Sequence, residues 1–71
     1  MPGKNVRYTK HALQRKLERG ITDEQITQVL ESPDYTISRE GRRIASKRLG
    51  GRVVKVVFIE EETHIKIITV Y

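Results

Sequence analysis

A histidine and an arginine stand four residues apart in the first helical segment, at His11 and Arg15. At 100° per residue both lie on the arc opposite Leu13 and Leu17, which we expect to form the buried stripe of this helix. An imidazole and a guanidinium so placed can contact one phosphate group, the imidazole for proton transfer and the guanidinium for charge. The alternative is a solvated helix face on which Arg15 pairs with Glu18. The spacing alone favours this alternative.

A second candidate is the adjacent pair Lys47 and Arg48. Side chains alternate across a strand, so one of the two faces the helices and the other faces away. With Lys47 on the helix side, Thr69 and Tyr71 would share its face and complete an ammonium, a hydroxyl and a phenol around a phosphate. In the alternative, the lysine stem covers apolar neighbours and Tyr71 closes the edge of the core. The residues leave both open.

Positive charge is concentrated in the middle of the chain. The net charge is +5. The segment from Arg39 to Lys55 has a single acidic residue, Glu40, among seven basic ones. Such a local excess is typical of a surface that binds a polyanion such as RNA. The candidate contacts are Arg42, Arg43, Lys47, Arg48 and Arg52. The alternative is a solvated basic surface without a partner.

Composition excludes several kinds of site. The 71 residues include no cysteine, which excludes disulfides and thiolate-bound metals. The two histidines are far apart, and His64 is expected to interact with the acidic residues 60–62 rather than to catalyse. We therefore expect no metal and no cofactor. With no apolar run of about 18 residues and no signal peptide core, we expect no membrane partner and a cytoplasmic location.

Two helices and about four strands are predicted in one domain. Thr9 caps a helix from Lys10 to Arg19 that ends at Gly20. Thr22 and Gln25 have the spacing of a capping box for a second helix, which stops at Ser32-Pro33. Residues 1–7 are expected to be a loose entry to an ordered core at 8–71, with a short strand at Val6–Tyr8 as the alternative.

The second half has the composition of strands, expected at 35–38, 43–49, 52–59 and 64–71. A two-residue Gly50-Gly51 loop sets Lys47 opposite Val54, and a four-residue acidic turn sets Val54 opposite Thr69. A bulge at the glycines is the alternative, and it would exchange Lys47 with Arg48. The prediction is an α+β fold, ααββββ, with two N-terminal helices on a roughly four-stranded antiparallel sheet. The outer face of the last hairpin is apolar enough for a dimer contact.

From Tyr8 to Tyr71 the chain resembles a group of short bacterial and archaeal domains, the domain of unknown function number forty-two fifty-eight. The resemblance rests on H-A-x-x-R in the first helix, an E-R-G-I junction, E-S-P-D after the second helix, then K-R-x-G-G-R-V and a closing T-V-Y. That group is similar to the RelE/ParE/BrnT-type toxins, which place helices before an antiparallel sheet. Many of those toxins cleave RNA without a metal.

The resemblance implies catalytic roles for His11, Arg15, Lys47 and Tyr71, with Arg48 and Thr69 as further candidates. His11 would act as base or acid, the cations would hold the phosphate, and Tyr71 would donate a proton. His11 reaches the sheet only if its helix lies at the sheet's edge. The leading hypothesis is a toxin-like, RNA-directed module, with metal-independent endoribonuclease activity as a candidate reaction. The alternatives are a non-catalytic domain that binds RNA or an acidic antitoxin-like protein, and a homodimer.

Overall fold

The computed structural model describes residues 5–71, in which two helices cover one face of a five-stranded sheet. The strand order is β1-β5-β4-β3-β2, with β1 parallel to β5 and the other neighbours antiparallel. The fold is α+β, as expected, but the prediction of a four-stranded, purely antiparallel sheet was wrong. The elements are β1 (Asn5–Tyr8), α1 (Lys10–Arg19), α2 (Asp23–Glu31), β2 (Tyr35–Arg39), β3 (Arg42–Leu49), β4 (Arg52–Glu60) and β5 (His64–Val70).

The additional strand, β1, lies at one edge of the sheet beside β5. Val6 is paired with Ile65 and Tyr8 with Ile67, and both β1 side chains pack against the core. From Asn5 onward, the expected loose entry is therefore a strand, and the alternative of a short strand at Val6–Tyr8 is confirmed. The part of that prediction on residues 1–4 lies outside the described residues. A four-residue strand is too short for its alternation to show, and its partner lies at the far end of the sequence.

The ends of both helices are fixed by the predicted residues. Thr9 Oγ1 accepts a hydrogen bond from the backbone N–H of Ala12 at 3.1 Å, and Gly20 ends α1 with φ 65° in the left-handed region. In the capping box, Thr22 and Gln25 each accept the other's backbone N–H, at 3.1 and 3.0 Å. In the described part of the chain, neither helix has the length and apolarity to span a membrane.

The buried stripe of α1 is not the predicted one. Leu13 is 45% exposed and Leu17 is 82% exposed, whereas Ala12 is completely buried. The methyl side chain of Ala12 allows α1 to lie close to β5. In addition, Thr9 ties the start of α1 to β5, through its backbone N–H to Ile67 O at 3.1 Å and its hydroxyl to Ile68 O at 2.9 Å. The helix is therefore rotated away from the orientation that two leucines would favour.

The hairpin of β3 and β4 has the predicted register. Leu49 lies opposite Arg52 and Lys47 opposite Val54. Of the two loop glycines, Gly50 has a positive φ, 64°. Because there is no bulge at this loop, Lys47 points toward the helices and Arg48 points away from them.

The pairing of β4 with β5 differs from the prediction. Val57 lies opposite Thr69, while the next residue, Phe58, lies opposite Ile67. Ile68 is therefore an extra residue in a β-bulge. The expected pairing of Val54 with Thr69 was wrong for two reasons. The backbone N–H of Glu61 bonds to the oxygen of His64, so the acidic turn is two residues shorter than expected, and the bulge adds one further residue.

The bulge exchanges the faces of the last residues of the chain. Val70 becomes completely buried among the core residues. Thr69 and Tyr71 lie on the opposite side of the sheet, as shown by the pairing of Thr69 with Val57 and by the contact of Tyr71 with Lys55. The predicted face shared by Lys47, Thr69 and Tyr71 does not exist, since a one-residue shift reverses every side chain beyond it.

A candidate nucleic-acid interface on the open sheet face

The two faces of the sheet differ in what covers them. On one face α1 packs on β5 and β1, and α2 packs on β4 and β3, around a continuous apolar core. We call the other face, which neither helix covers, the open face. Its strand residues, together with Tyr71, are Asn5, Arg7, Tyr35, Ile37, Arg39, Arg42, Ile44, Ser46, Arg48, Val53, Lys55, Val57, Ile59, His64, Lys66 and Thr69.

Six cations project from the open face, and no aspartate or glutamate is among its residues. Among the described residues, none of the six cations forms an ion pair with a carboxylate. Five are exposed, and Lys55 is half-buried. The strand residues of the open face therefore carry a net positive charge, and the Glu61 carboxylate lies at one edge of the face beside His64. The six cations are Arg7, Arg39, Arg42, Arg48, Lys55 and Lys66.

Lys47 lies on the helix side, where protein groups engage its ammonium. Lys47 Nζ donates a hydrogen bond of 2.7 Å to the backbone oxygen of Ser32, just after α2. It also lies 3.8 Å from the carboxylate of Asp34. A cation at this end of a helix satisfies a free carbonyl and complements the helix dipole. Lys47 therefore anchors α2 to β3.

Two more of the predicted contacts, Arg43 and Arg52, are also on the helix side. Arg43 forms a salt bridge of 2.8 Å with Glu60 across β3 and β4. Arg52 donates a hydrogen bond of 2.9 Å to the backbone oxygen of Arg19 at the end of α1. Of the five predicted nucleic-acid contacts, only Arg42 and Arg48 lie on the open face.

Apolar and aromatic side chains lie between the cations of the open face. Tyr35 is 51% exposed, and Ile37, Val53 and Tyr71 have similar exposures. Aromatic rings on a positive sheet face are suitable for contact with the flat faces of unpaired bases. The open face thus combines charge for phosphates with apolar area for bases.

One row of the open face crosses four chain segments. Tyr35 is paired with Ser46 and Ser46 with Lys55. Tyr71 exchanges two backbone hydrogen bonds with Lys55, of 2.7 and 2.9 Å. The ammonium of Lys55 lies 5.9 Å from the centre of the Tyr71 ring, a cation–π distance. We call these four residues the tyrosine row.

His11 and Arg15 are separated from Lys47. They belong to α1, which packs on β5 and β1, whereas Lys47 is anchored below α2. His11 is exposed, and Arg15 lies 3.6 Å from Glu18, the pairing of the simpler alternative. The structure therefore does not place the four proposed catalytic residues around one centre. Their roles remain predictions.

The first turn of α1 lies beside the last residues of β5. The strand β1 ends at Tyr8 beside Ile67, so those residues extend past it. Thr9 bonds to Ile67 and Ile68 there. His11 is therefore near the end of β5 on the covered side of the sheet, whereas Thr69 faces the open side.

A cleft of about 300 Å³ lies where β1 and β5 begin. The imidazole of His64 lies 3.2 Å from the carboxylate of Glu61, which confirms the expected interaction of His64 with the acidic turn. Within residues 5–71, no group of three histidine, aspartate or glutamate side chains could hold a metal ion. The cleft is lined by Arg7, Tyr8, Thr9, Glu61, His64 and Lys66.

A polar cluster fixes both helices to β1 on the covered side. Asp23 accepts a hydrogen bond of 3.2 Å from the Tyr8 hydroxyl and one of 2.6 Å from Lys16 Nζ. Burial, together with the charge and hydrogen bond of Asp23, raises the pKa of Tyr8 to about 12. The hydrogen bond from Lys16 lowers the pKa of Asp23. The phenol thus stays neutral and the carboxylate stays ionised.

The family model of a domain of unknown function, DUF4258, matches residues 8–71. The chain belongs to the DUF4258 family. Neither the curated proteins nor the solved structures contain a significant match. The DUF4258 match begins at Tyr8, so the first three residues of β1 lie outside it.

Several residues of the open face of this DUF4258 domain were not among the predicted site residues. Tyr35 and Lys55 follow from alternation once the register of β2, β3 and β4 is known. Arg7 and Lys66 are neighbours only because β1 pairs with β5. The alternation that places Tyr35 and Lys55 on one face can be read from the sequence. The neighbourhood of Arg7 and Lys66 can be seen only in the fold.

Proposed function

We propose that this DUF4258 domain is an RNA-binding module and that the open face is its RNA-binding surface. The observation that carries the proposal is the segregation of charge. The three basic strand residues on the helix side, Arg43, Lys47 and Arg52, contact protein groups. The six cations of the open face have no carboxylate partner among the described residues. Cations that anchor nothing in the protein are available to phosphates.

The kind of nucleic acid follows from the shape and composition of the surface. A sheet face without a protruding helix is poorly suited to enter a DNA major groove. Exposed tyrosines between cations favour single-stranded RNA, whose bases are free to stack. We further propose that the module is toxin-like, related to RelE-type proteins, and acts in the cytoplasm, where an acidic antitoxin-like partner would compete with RNA for the open face.

Binding to RNA is expected to be strongly dependent on salt. With about six phosphate contacts to a single strand, the logarithm of the affinity should fall against the logarithm of salt with a slope of about −4. Fluorescence anisotropy with a labelled 12-nucleotide RNA measures this slope. NMR shift changes on addition of the RNA should concentrate on the open face. An absence of binding at 50 mM salt, or shifts concentrated on α1 and α2, would overturn the proposal.

Metal-independent cleavage of RNA is the second candidate function. It is favoured by the position of His11 in the first turn of α1, which Thr9 ties to Ile67 and Ile68 of β5. In this reaction the 2′-oxygen attacks phosphorus and the P–O5′ bond breaks. A base takes the 2′-hydroxyl proton, and an acid protonates the leaving 5′-oxygen. His11 would fill one of these roles, and Lys55 rather than Lys47 lies on the correct face to hold the phosphate.

Replacing His11 with alanine separates the two functions. If the domain cleaves RNA, His11→Ala should reduce the rate about 100-fold or more, since general acid–base catalysis contributes that much. The affinity for RNA should hardly change. Cleavage is followed by gel electrophoresis in the presence of EDTA, with Lys10→Ala on the same helix as the control. Wild-type protein that leaves RNA intact while binding it would restrict the function to binding.

A further inference from the structure

We infer that the tyrosine row is a subsite for two unpaired bases of RNA and the phosphate between them. This inference rests on the proposed RNA binding and adds which part of the open face contacts bases. Tyr35 and Tyr71 are the two exposed aromatic residues of the face, and each is about half exposed. Both therefore have ring surface free for a ligand.

Within the tyrosine row, a cationic side chain lies between the two aromatic rings. Tyr35 and Tyr71 are three strand spacings apart, about 14 Å across the sheet. Lys55 lies between them, next to Tyr71, with its ammonium 5.9 Å from the ring centre. A base on each ring would leave the connecting backbone over Lys55. The Lys55 ammonium would then leave the Tyr71 ring and bind the phosphate of this backbone.

Ser46 is the independent observation that points to a ligand at this row. Its side chain is 99% buried, as its exposure is 1%, and among the described residues its hydroxyl has no hydrogen-bond partner. It lies between Tyr35 and Lys55 and faces the open side of the sheet. A buried hydroxyl without a partner is unfavourable for the folded state. A phosphate held by Lys55 would lie in the same row as this hydroxyl and would offer it an acceptor.

Three probes of matched length distinguish contact with bases from contact with phosphates. They are a 12-nucleotide oligoadenylate, a 12-base-pair RNA duplex, and an abasic ribose-phosphate 12-mer. Tyr35→Leu with Tyr71→Leu should weaken binding of the oligoadenylate about tenfold or more, because aromatic stacking is lost. Binding of the duplex and of the abasic strand should change less than twofold. Tyr35→Phe with Tyr71→Phe, the matched control that keeps both rings, should bind oligoadenylate like the wild type.

The variant Ser46→Ala tests the buried hydroxyl separately. Its thermal midpoint should equal or exceed that of the wild type, because a buried hydroxyl without a partner is removed. Its affinity for oligoadenylate should nevertheless fall about threefold to tenfold, as expected for the loss of one hydrogen bond to a ligand.

The failure of this subsite differs from the failure of RNA binding. If the leucine pair weakens all three probes equally, or none, the tyrosine row does not contact bases, although the open face still binds RNA. If Ser46→Ala binds oligoadenylate with unchanged affinity, the Ser46 hydroxyl does not contact the RNA. If none of the three probes binds to the wild-type protein, the proposed function itself is wrong.

Discussion

Reversing two charges on the open face, with Arg42→Glu and Lys66→Glu, is expected to weaken binding of single-stranded RNA by about a hundredfold or more at 100 mM salt. Both residues are exposed and lack carboxylate partners within the described chain. Each substitution removes a phosphate contact and adds repulsion toward the remaining strand. The slope of affinity against salt should also become shallower, because fewer counterions are released.

A matched control separates local contact from net charge. Lys10→Glu with Arg19→Glu makes the same change in charge on the helix side, where both side chains are exposed. This pair should weaken binding only several-fold, through the long-range field. Anisotropy with one labelled RNA measures both variants, after circular dichroism has shown that they fold. Equal losses in the two pairs would mean that net charge, rather than the open face, determines binding.

Replacing Val70 with aspartate is expected to destabilise the domain severely. Val70 lies opposite Val56 and is completely buried in the apolar core. The substitution removes a buried valine side chain and places a carboxylate among apolar residues. These two effects should together cost about 4 kcal/mol or more. A domain of this size has about 5 kcal/mol of stability, so most molecules should be unfolded near 37 °C.

Deleting Ile68 provides the comparison for this substitution. The deletion removes only the extra residue of the bulge, so Thr69 would follow Ile67 directly and keep its place opposite Val57. Because Val70 then stays opposite Val56, the deletion should cost only about 1 kcal/mol. Urea unfolding followed by circular dichroism measures both variants. A Val70→Asp variant with a midpoint near that of the deletion variant would show that Val70 contributes little to the core, contrary to its complete burial.

Local signals in the sequence predicted the parts of the fold that local chemistry determines. A side-chain oxygen at Thr9 or Thr22 can only satisfy nearby backbone N–H groups, so the helix starts were correct. The short glycine loop likewise fixed the register of β3 against β4. These features depend on neighbouring residues, and the sequence shows neighbouring residues directly.

Most of the errors came from contacts between distant parts of the chain, although the register of β4 against β5 also depended on the length of the acidic turn. The orientation of α1 depends on bonds from Thr9 to Ile67 and Ile68, which no periodicity reveals. The pattern of Leu13 and Leu17 was genuine, yet tertiary contacts with β5 overrode it. The candidate site suffered in the same way, because one extra residue in β5 moved Tyr71 from Lys47 to Lys55. Alternation does predict that Lys47 and Arg48 separate, and the loop decides which of them faces the helices.

The parallel pairing of β1 with β5 has a consequence for folding on the ribosome. β1 is synthesised early, but it pairs with β5, which emerges after every other strand. The hairpins of β2, β3 and β4 involve short loops and can form first, whereas closing β1 onto β5 requires a long loop and is slower. Until that step, Val6 and Tyr8 lack the strand against which they pack. A nascent chain halted before β5 would expose the apolar edge of β4, a template for aggregation that chaperones must cover.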